Sequence, residues 1–347
     1  MSAMLTPEDV LNAAARLAGV VTETPMLYSR DLNRKFGVQA WFKAESFQRT
    51  NSFKFRGAYH HVSRLGPAER SRGVVGASSG NHAQALSLAG RLHEIPATVV
   101  VPEDCPETKI KRVLDHGAAI VRYRRGFDNR DGIVARIAQE TGACIVPSSD
   151  DYDVMAGNGT VALEMLDSVP DLDTLLIPLG GGGLAAGCAT VAKHLNPEIR
   201  IFGVEPAGAS DTYQSFQANR SVTLTRTNTV ADGLRHLTPS KRPLAVNRQL
   251  LDGVILVSDG QVVAAMRLAF ENLKVVLEPS GACAMAALLS GDAALRASRR
   301  VGVVLSGANV DWDTYTDLTR PFDPIDSQRP EGSAHDALRA TFRGVSR

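Results

Sequence analysis

Cysteine is scarce in this chain of 347 residues: Cys105, Cys144, Cys188 and Cys283 stand far apart, with no two close enough to form a ligand pair. That excludes a short-spaced zinc site and a disulfide-stapled secreted scaffold, leaving four reduced thiols as the expectation. An excess of charge of either sign is also missing. Lys and Arg number 38 against 37 Asp and Glu, a net charge of +1, so the chain lacks the basic footprint of a nucleic-acid or membrane-surface partner. Nor is there an apolar run long enough to span a bilayer. The amino-terminal MSAMLTPEDVLNAAARL is amphipathic, with acids in its first turn, unlike a signal peptide, which points to a cytoplasmic protein. No internal repeat or low-complexity tract is visible.

What is present is an ordinary globular balance, 44% apolar and 22% charged, in a length that suits two domains or one large α/β unit. Short apolar runs rich in β-branched residues predict strands at Val74–Ala77, Ala97–Val101, Ala118–Tyr123, Cys144–Pro147, Thr174–Leu179, Arg200–Val204, Gly253–Val257 and Arg300–Leu305. Helical periodicity falls between them at His82–His93, Glu107–His116, Gly132–Glu140, Leu184–Leu195, Gln261–Asn272 and Ala282–Leu289. Strand, helix, strand in succession predicts parallel sheets with crossover helices. From about Pro324 the composition turns to Pro, Ser, Gly and charge, a surface tail with a short helix at Ala334–Phe342.

Three predicted strands run straight into small polar or glycine clusters: GVVGASSGNH, LLIPLGGGGLAAG and VGVVLSGAN. In open α/β sheets ligands gather outside the carboxyl ends of strands, so these loops should converge. Gly180, Gly181, Gly182 and Gly183, followed by a helix start near Leu184, can turn several N–H groups toward one anion. A tight turn with close helix packing would explain one or two of these glycines, hardly four. No lysine follows as in a nucleotide P-loop, and the spaced G-x-G-x-x-G of dinucleotide binders is absent. Lys54, between Phe53 and Phe55, could have a depressed pKa and a free amine able to form a Schiff base; a snorkelling surface lysine is the plainer account. Ser78, Ser79, Gly80, Asn81 and His82 suit a substrate carboxylate at a helix start, or an ordinary N-cap. Ser306 ends the last strand with a hydroxyl that could meet a neutral pyridine nitrogen, or simply cap a turn.

In combination, SFKFRGA, SSGNHAQAL, GGGGL and EPSGA resemble fold-type II pyridoxal-phosphate enzymes of the threonine dehydratase and serine racemase group, over about residues 10–320. The resemblance implies a tryptophan-synthase-β-like fold of two open parallel-sheet α/β domains with the cofactor between them. The large domain would comprise residues 1–69 and 152–323, the small one residues 70–151, and residues 324–347 a tail. It further implies Lys54 as Schiff-base lysine and α-proton carrier, Phe53 stacked on the ring, and Asn81 at the ring hydroxyl. Gly180 to Gly183 with Leu184 would hold the phosphate and Ser306 the ring nitrogen. Ser79 would be the second acid/base, with Ser78, Asn81 and His82 beside it at the substrate. Glu205, Ala209 and Asp211 match the positions that hold a divalent cation in the racemase group, where hard oxygen ligands suit Mg2+, Ca2+ or Mn2+.

The implied activity is α,β-elimination of L-threonine, L-serine or a related β-hydroxy amino acid to a 2-oxo acid and ammonia, by a homodimer. A serine or aspartate racemase on the same scaffold is the nearest alternative, and a catalytically inactive cofactor-binding regulatory protein a second. A cysteine-synthase-type β-replacement enzyme, with SxKDR and TSGNT in place of SFKFR and SSGNH, and an NAD oxidoreductase fit less well. Two departures stand out: Asn51 where glycine is common before SFK, and Ala308 for the second glycine of SGGN. Both would lie near the cofactor and bear on substrate preference. Since the chain stops soon after its catalytic region, the regulatory domain of biosynthetic threonine dehydratases, and feedback inhibition through it, is not expected. Arg124, Arg125 and Arg130 could meet an acidic substrate such as hydroxyaspartate, or be solvated surface arginines.

Overall fold

A computed structural model describes residues 4–320; the expected tail and the Ala334–Phe342 helix lie outside them. Ten strands are formed: β1 Met26–Tyr28, β2 Gln39–Ala44, β3 Val74–Ala77, β4 Ala97–Pro102, β5 Ala119–Tyr123, β6 Cys144–Ile145, β7 Thr174–Pro178, β8 Arg200–Pro206, β9 Gly253–Val257 and β10 Arg300–Leu305. They make two sheets. The larger runs β1-β2-β10-β7-β8-β9 and the smaller β5-β4-β3-β6. Every pairing is parallel except β1 with β2.

The central strands explain the pattern. All five residues of β7 are buried, as expected of a parallel strand covered by helices on both faces, which reads as a continuous apolar run. Helices of the large sheet, among them Tyr152–Ser168 and Gly183–Leu195, close one core with Leu175, Ile177, Ile201 and Val304. A second core joins the Lys54–Ser63 and Asn81–Leu92 helices to Val74, Val99 and Val101 of the small sheet. Trp312–Thr319 forms a separate eight-residue helical unit.

All eight expected strands form, most within a residue or two of the expected bounds. β6 is cut to two residues because Pro147 has no N–H to continue a ladder. The Gln261–Asn272 helix is α-helical only over Asp259–Leu268 and widens to a π turn over Ala269–Leu273. β1 and β2 were not expected. β1 is only three residues long, and β2 carries Lys43, which is fully buried and paired with Glu164 at 2.6 Å. A lysine inside a strand conceals the apolar run from a hydropathy reading.

Parallel pairing sends the carboxyl ends of β7, β8 and β10 to one edge of the large sheet. Loops Gly180–Gly183, Ala207–Asp211 and Ser306–Asn309 therefore leave from that edge. β3 and β4 end side by side, Ala77 opposite Val100, and deliver the Ser78–His82 loop.

Candidate active site

Lys54 opens the Lys54–Ser63 helix, and the chain before it is fixed from three directions. Thr50 and Asn51 both adopt left-handed backbone, with φ of 60° and 55°. That conformation favours glycine and, among other residues, asparagine, which accounts for Asn51 where glycine is common. Ser52 bridges Gly307, and the Phe53 N–H donates to the Ser306 carbonyl at 3.1 Å. Half a turn later Arg56 is wholly buried. Its guanidinium donates two 2.8 Å bonds to Glu45 and further bonds of 2.5 and 2.8 Å to Glu164. A fork held by two carboxylates locks the first turn of the helix and so aims Lys54.

The Lys54 ammonium donates to the Ser148 carbonyl at 2.7 Å and lies 4.9 Å from the centre of the Phe53 ring. Burial lowers its pKa from 10.5 to about 8, because taking a charge out of water disfavours it and no carboxylate offsets the loss. Near neutral pH an amine of this kind is readily freed.

Ser148 leads into Ser149, which walls the glycine loop. Gly182, at φ 84°, starts the Gly183–Leu195 helix in left-handed backbone, and Asn247 donates to its carbonyl at 3.2 Å. A Cβ on Gly181 would stand 2.3 Å from the Ser149 hydroxyl and 3.0 Å from that of Ser240. Those two hydroxyls are 2.9 Å apart. The loop is thus a bare backbone cup beside two hydroxyls at a helix amino terminus, the donor set an anionic phosphate requires. His236 stands against Gly180; burial and the nearby Lys54 hold it down to about 4, so it is neutral. The side chain of Leu184 is buried in the large-sheet core, leaving only its backbone to face the cup.

In the Ser78–His82 loop, the Ser78 hydroxyl accepts from the Gly80 N–H at 3.1 Å, and Ser79 lies 3.5 Å from the Arg125 guanidinium. Asn81 donates to Glu278 at 2.6 Å and accepts from Asn309 at 2.7 Å, which ties this loop to those after Leu277 and Leu305. Burial, reinforced by Asp232, pushes Glu278 up to about 7. His82 turns inward: it is buried, and its Nε2 bonds the Val146 carbonyl at 2.9 Å. Burial and Lys54 lower it to about 3, so it is an uncharged part of the wall. Ser306 is buried, its hydroxyl 3.5 Å from the Ser280 carbonyl.

Residues 17–307 match the family described as pyridoxal-phosphate dependent enzyme. The chain belongs to that family. It is 43% identical to L-threo-3-hydroxyaspartate ammonia-lyase of Saccharomyces cerevisiae, covering 89% of this chain and 95% of the relative. It is 42% identical to serine racemase of Oryza sativa subsp. indica, covering 87% and 90%. The solved structure of maize serine racemase superposes with a TM-score of 0.88 at 37% identity, over 98% of this chain and all of that one. The chain is an enzyme, and its family's cofactor is pyridoxal phosphate. A backbone cup for phosphate and a lysine whose burial favours the free amine fit that cofactor.

At the end of β8, Glu205 and Asp211 are both fully buried. Glu205 accepts the N–H groups of Thr212 and Tyr213 at 3.0 and 2.8 Å. Neither carboxylate oxygen of Asp211 has a hydrogen-bond partner. Burial, and for Glu205 also the charge of Asp211, raise the two to about 8 and about 7. Two carboxylates without a counter-charge in a dry place are the donor set of a hard divalent cation. Ala209 lies between them in the turn Ala207–Ala209.

Several residues of the site escaped the sequence reading. Glu278 stands in the EPSGA motif and Asn309 ends the SGAN run, each without an obvious role; Ser149, Ser240, Asn247 and His236 have no local signature at all. The three arginines are in surface pairs, Arg124 with Asp128, Arg125 with Asp104 and Arg130 with Asp131.

Proposed function

We propose that this enzyme is an ammonia-lyase that removes water and then ammonia from a β-hydroxy amino acid to release a 2-oxo acid, with Lys54 carrying the cofactor. The observation that carries this is the Lys54 amine, lowered to about 8 by burial alone and held on the segment that walls the glycine cup. Bound pyridoxal phosphate withdraws electrons from the α-carbon and so acidifies its proton. Lys54 then takes that proton, and the backbone of Gly180 to Gly183 with Leu184 holds the phosphate. Phe53 would lie beside the ring, and Asn81, oriented by Glu278 and Asn309, would meet its hydroxyl. Ser306 would offer the ring nitrogen a hydroxyl, where a carboxylate would keep it protonated, a setting that would suit loss of the β-hydroxyl. Ser78, Ser79 and Asn81 receive the substrate carboxylate, with His82 as neutral backing.

The yeast relative's name supports elimination, and hydroxyaspartate therefore stands beside threonine and serine among the substrates to assay. The rice and maize relatives' names support racemisation as the second reading, with Ser79 as the opposing proton carrier. Oxo-acid and ammonia release from a panel of β-hydroxy amino acids, with chiral analysis of recovered substrate, separates the two. Reduction with borohydride should fix the cofactor to Lys54; a colourless protein after incubation with pyridoxal phosphate would defeat the proposal.

We also propose that Glu205, Asp211 and the Ala209 carbonyl hold Mg2+, Ca2+ or Mn2+, that residues 70–151 are the smaller of two domains, and that the enzyme works as a cytoplasmic homodimer.

A further inference from the structure

One cluster of reactive side chains lies outside the cofactor site. Cys144, on the edge strand β6, is partly exposed, and its sulfur lies 3.7 Å from Nε2 of His61. The opposite ring nitrogen, Nδ1, lies 2.9 Å from Asp151. Asp151 is itself fixed, accepting the Val154 N–H at 3.0 Å as the cap of the Tyr152–Ser168 helix. A carboxylate on Nδ1 sets the ring so that Nε2 faces the sulfur, the order of groups that activates a cysteine. Burial draws the His61 pKa down, but the Asp151 bond and charge, with a smaller share from Cys144, outweigh it and raise it to about 10. The sulfur therefore faces a ring nitrogen held in place by Asp151, the neighbour an attacking sulfur needs.

The other three thiols are unlike it. Cys105, Cys188 and Cys283 are buried, and burial pushes each of them up; a contact to a backbone carbonyl is common to all four, Cys144 making its own with Ile145 at 3.8 Å. A metal reading of the cluster is weaker. His61, Asp151 and Asp153 could converge on one ion, but Asp153 is paired with Arg64 at 3.2 Å, and the sulfur lies on the ring nitrogen away from Asp151.

We infer that Cys144 is a reactive thiol, activated by the His61–Asp151 pair, whose modification by hydroperoxides adjusts the neighbouring site. The sulfur attacks the terminal oxygen of the hydroperoxide, an S–O bond forming as the O–O bond breaks. Sulfur is oxidised by two electrons to the sulfenic acid, and the hydroperoxide is reduced to the alcohol or water. The departing oxygen takes the proton from Nε2 of His61. Coupling to the site follows from the helix. His61 and Lys54 are seven residues apart on Lys54–Ser63 and so share a face. Both bond the segment 144–151, Lys54 through Ser148 and His61 through Cys144 and Asp151. An oxygen added at Cys144 must disturb the segment that holds Lys54. That effect on turnover rests on the function proposed above; the reactivity of the thiol does not.

The test is alkylation of the holoenzyme with iodoacetamide at neutral pH, each cysteine followed by peptide mass. Cys144 should react at least about tenfold faster than free glutathione under the same conditions, and His61→Asn should remove that advantage. Asp151→Asn serves as a second variant, and the glutathione comparison decides even if neither variant folds. Sublethal peroxide followed by dimedone should tag Cys144 and lower turnover in the wild type, while Cys144→Ser keeps its turnover. The inference is overturned if Cys144 reacts no faster than glutathione, if His61→Asn leaves its rate unchanged, if dimedone marks another cysteine first, or if labelling needs a chelator, which would assign the cluster to a metal. Tagging of Cys144 with unchanged turnover would overturn the coupling alone and leave the elimination chemistry standing.

Discussion

If Glu205 and Asp211 hold a divalent cation as proposed, its removal should destabilise the enzyme, and more so at high pH. Glu205 and Asp211 are fully buried, and their pKa values are raised to about 8 and about 7 from 4.5 and 3.8. A raised carboxylate means that the metal-free fold keeps protons the unfolded chain has released. Its stability is then fully present below about pH 4 and is lost as pH rises through about 8. For Glu205 the raise corresponds to roughly 5 kcal/mol against the ionised, metal-free form. A cation at a hundredfold excess over its Kd contributes about 2.7 kcal/mol, and at roughly 2 °C per kcal/mol for a chain of this size that is a Tm shift of about 5 °C. The assay is thermal unfolding of the cofactor-saturated enzyme in EDTA or in millimolar Mg2+, Ca2+ or Mn2+, at pH 6 and pH 8. The shift should be larger at pH 8, where protons compete less. Glu205→Gln should abolish it, and in EDTA at pH 8 should leave the protein no less stable than wild type, since it removes a costly charge. An undiminished shift in Glu205→Gln, or no shift with any of the three ions at pH 8, would refute the assignment.

Lys54→Ala should lower turnover by at least about 10²-fold, the scale of one general base, with no borohydride-fixed cofactor; residual activity within tenfold of wild type contradicts its role. Because Lys54 is lowered to about 8, cofactor uptake by apoenzyme should quicken as pH rises toward 8 and level off above it, as followed by stopped-flow absorbance. Ser79→Ala should lower elimination from L-substrates far less than racemisation and use of D-substrates, which should fall by about 10² or more; an equal loss in both would assign Ser79 another task. Gly181→Ala forces a methyl to within 2.3 Å of the Ser149 hydroxyl, so pyridoxal-phosphate affinity measured by titration should drop about tenfold or more, about 1.4 kcal/mol.

The parallel α/β plan was legible because its central strands, such as β7 and β10, are buried on both faces and apolar, and because β3, β7 and β10 run into loops of small residues. Lys54, the Gly180–Gly183 turn and Ser306 stood out as local runs, each with a plainer structural account beside the chemical one, and only their combination with SSGNH and EPSGA favoured the chemistry. What was hidden is what depends on distant pairing. Arg56 lies two residues from Lys54, yet nothing in SFKFRGA shows that Glu45 and Glu164 will close on it from a strand end and a helix more than a hundred residues away. Asn309 and Glu278 hold Asn81 across nearly two hundred residues or more of chain. β2 escaped because Lys43 is an internal cation, legible only once Glu164 is seen beside it. His82 looked like a substrate ligand in SSGNH, but a histidine one residue into a helix can point either way, and the Val146 carbonyl draws it inward.

The two departures from the family pattern, far apart in sequence, meet in space. The Asn51 carbonyl accepts the Ala308 N–H at 2.9 Å, and Asn309 donates to the Thr50 carbonyl at 2.7 Å. Residues 50–52 and 307–309 therefore act as one strap between the Lys54 helix and the end of β10. Asn51 pays about 1 kcal/mol or less for its left-handed backbone relative to glycine, and Ala308 adds a methyl on the facing strand. Asn51→Gly with Ala308→Gly should thus behave as a coupled pair: each single change shifts KM ratios among threonine, serine and hydroxyaspartate, and the double departs from the product of the two by severalfold, as residues in one hydrogen-bonded unit do. Strictly multiplicative effects in that cycle would mean that the strap is not a unit and that substrate preference is set elsewhere in the pocket.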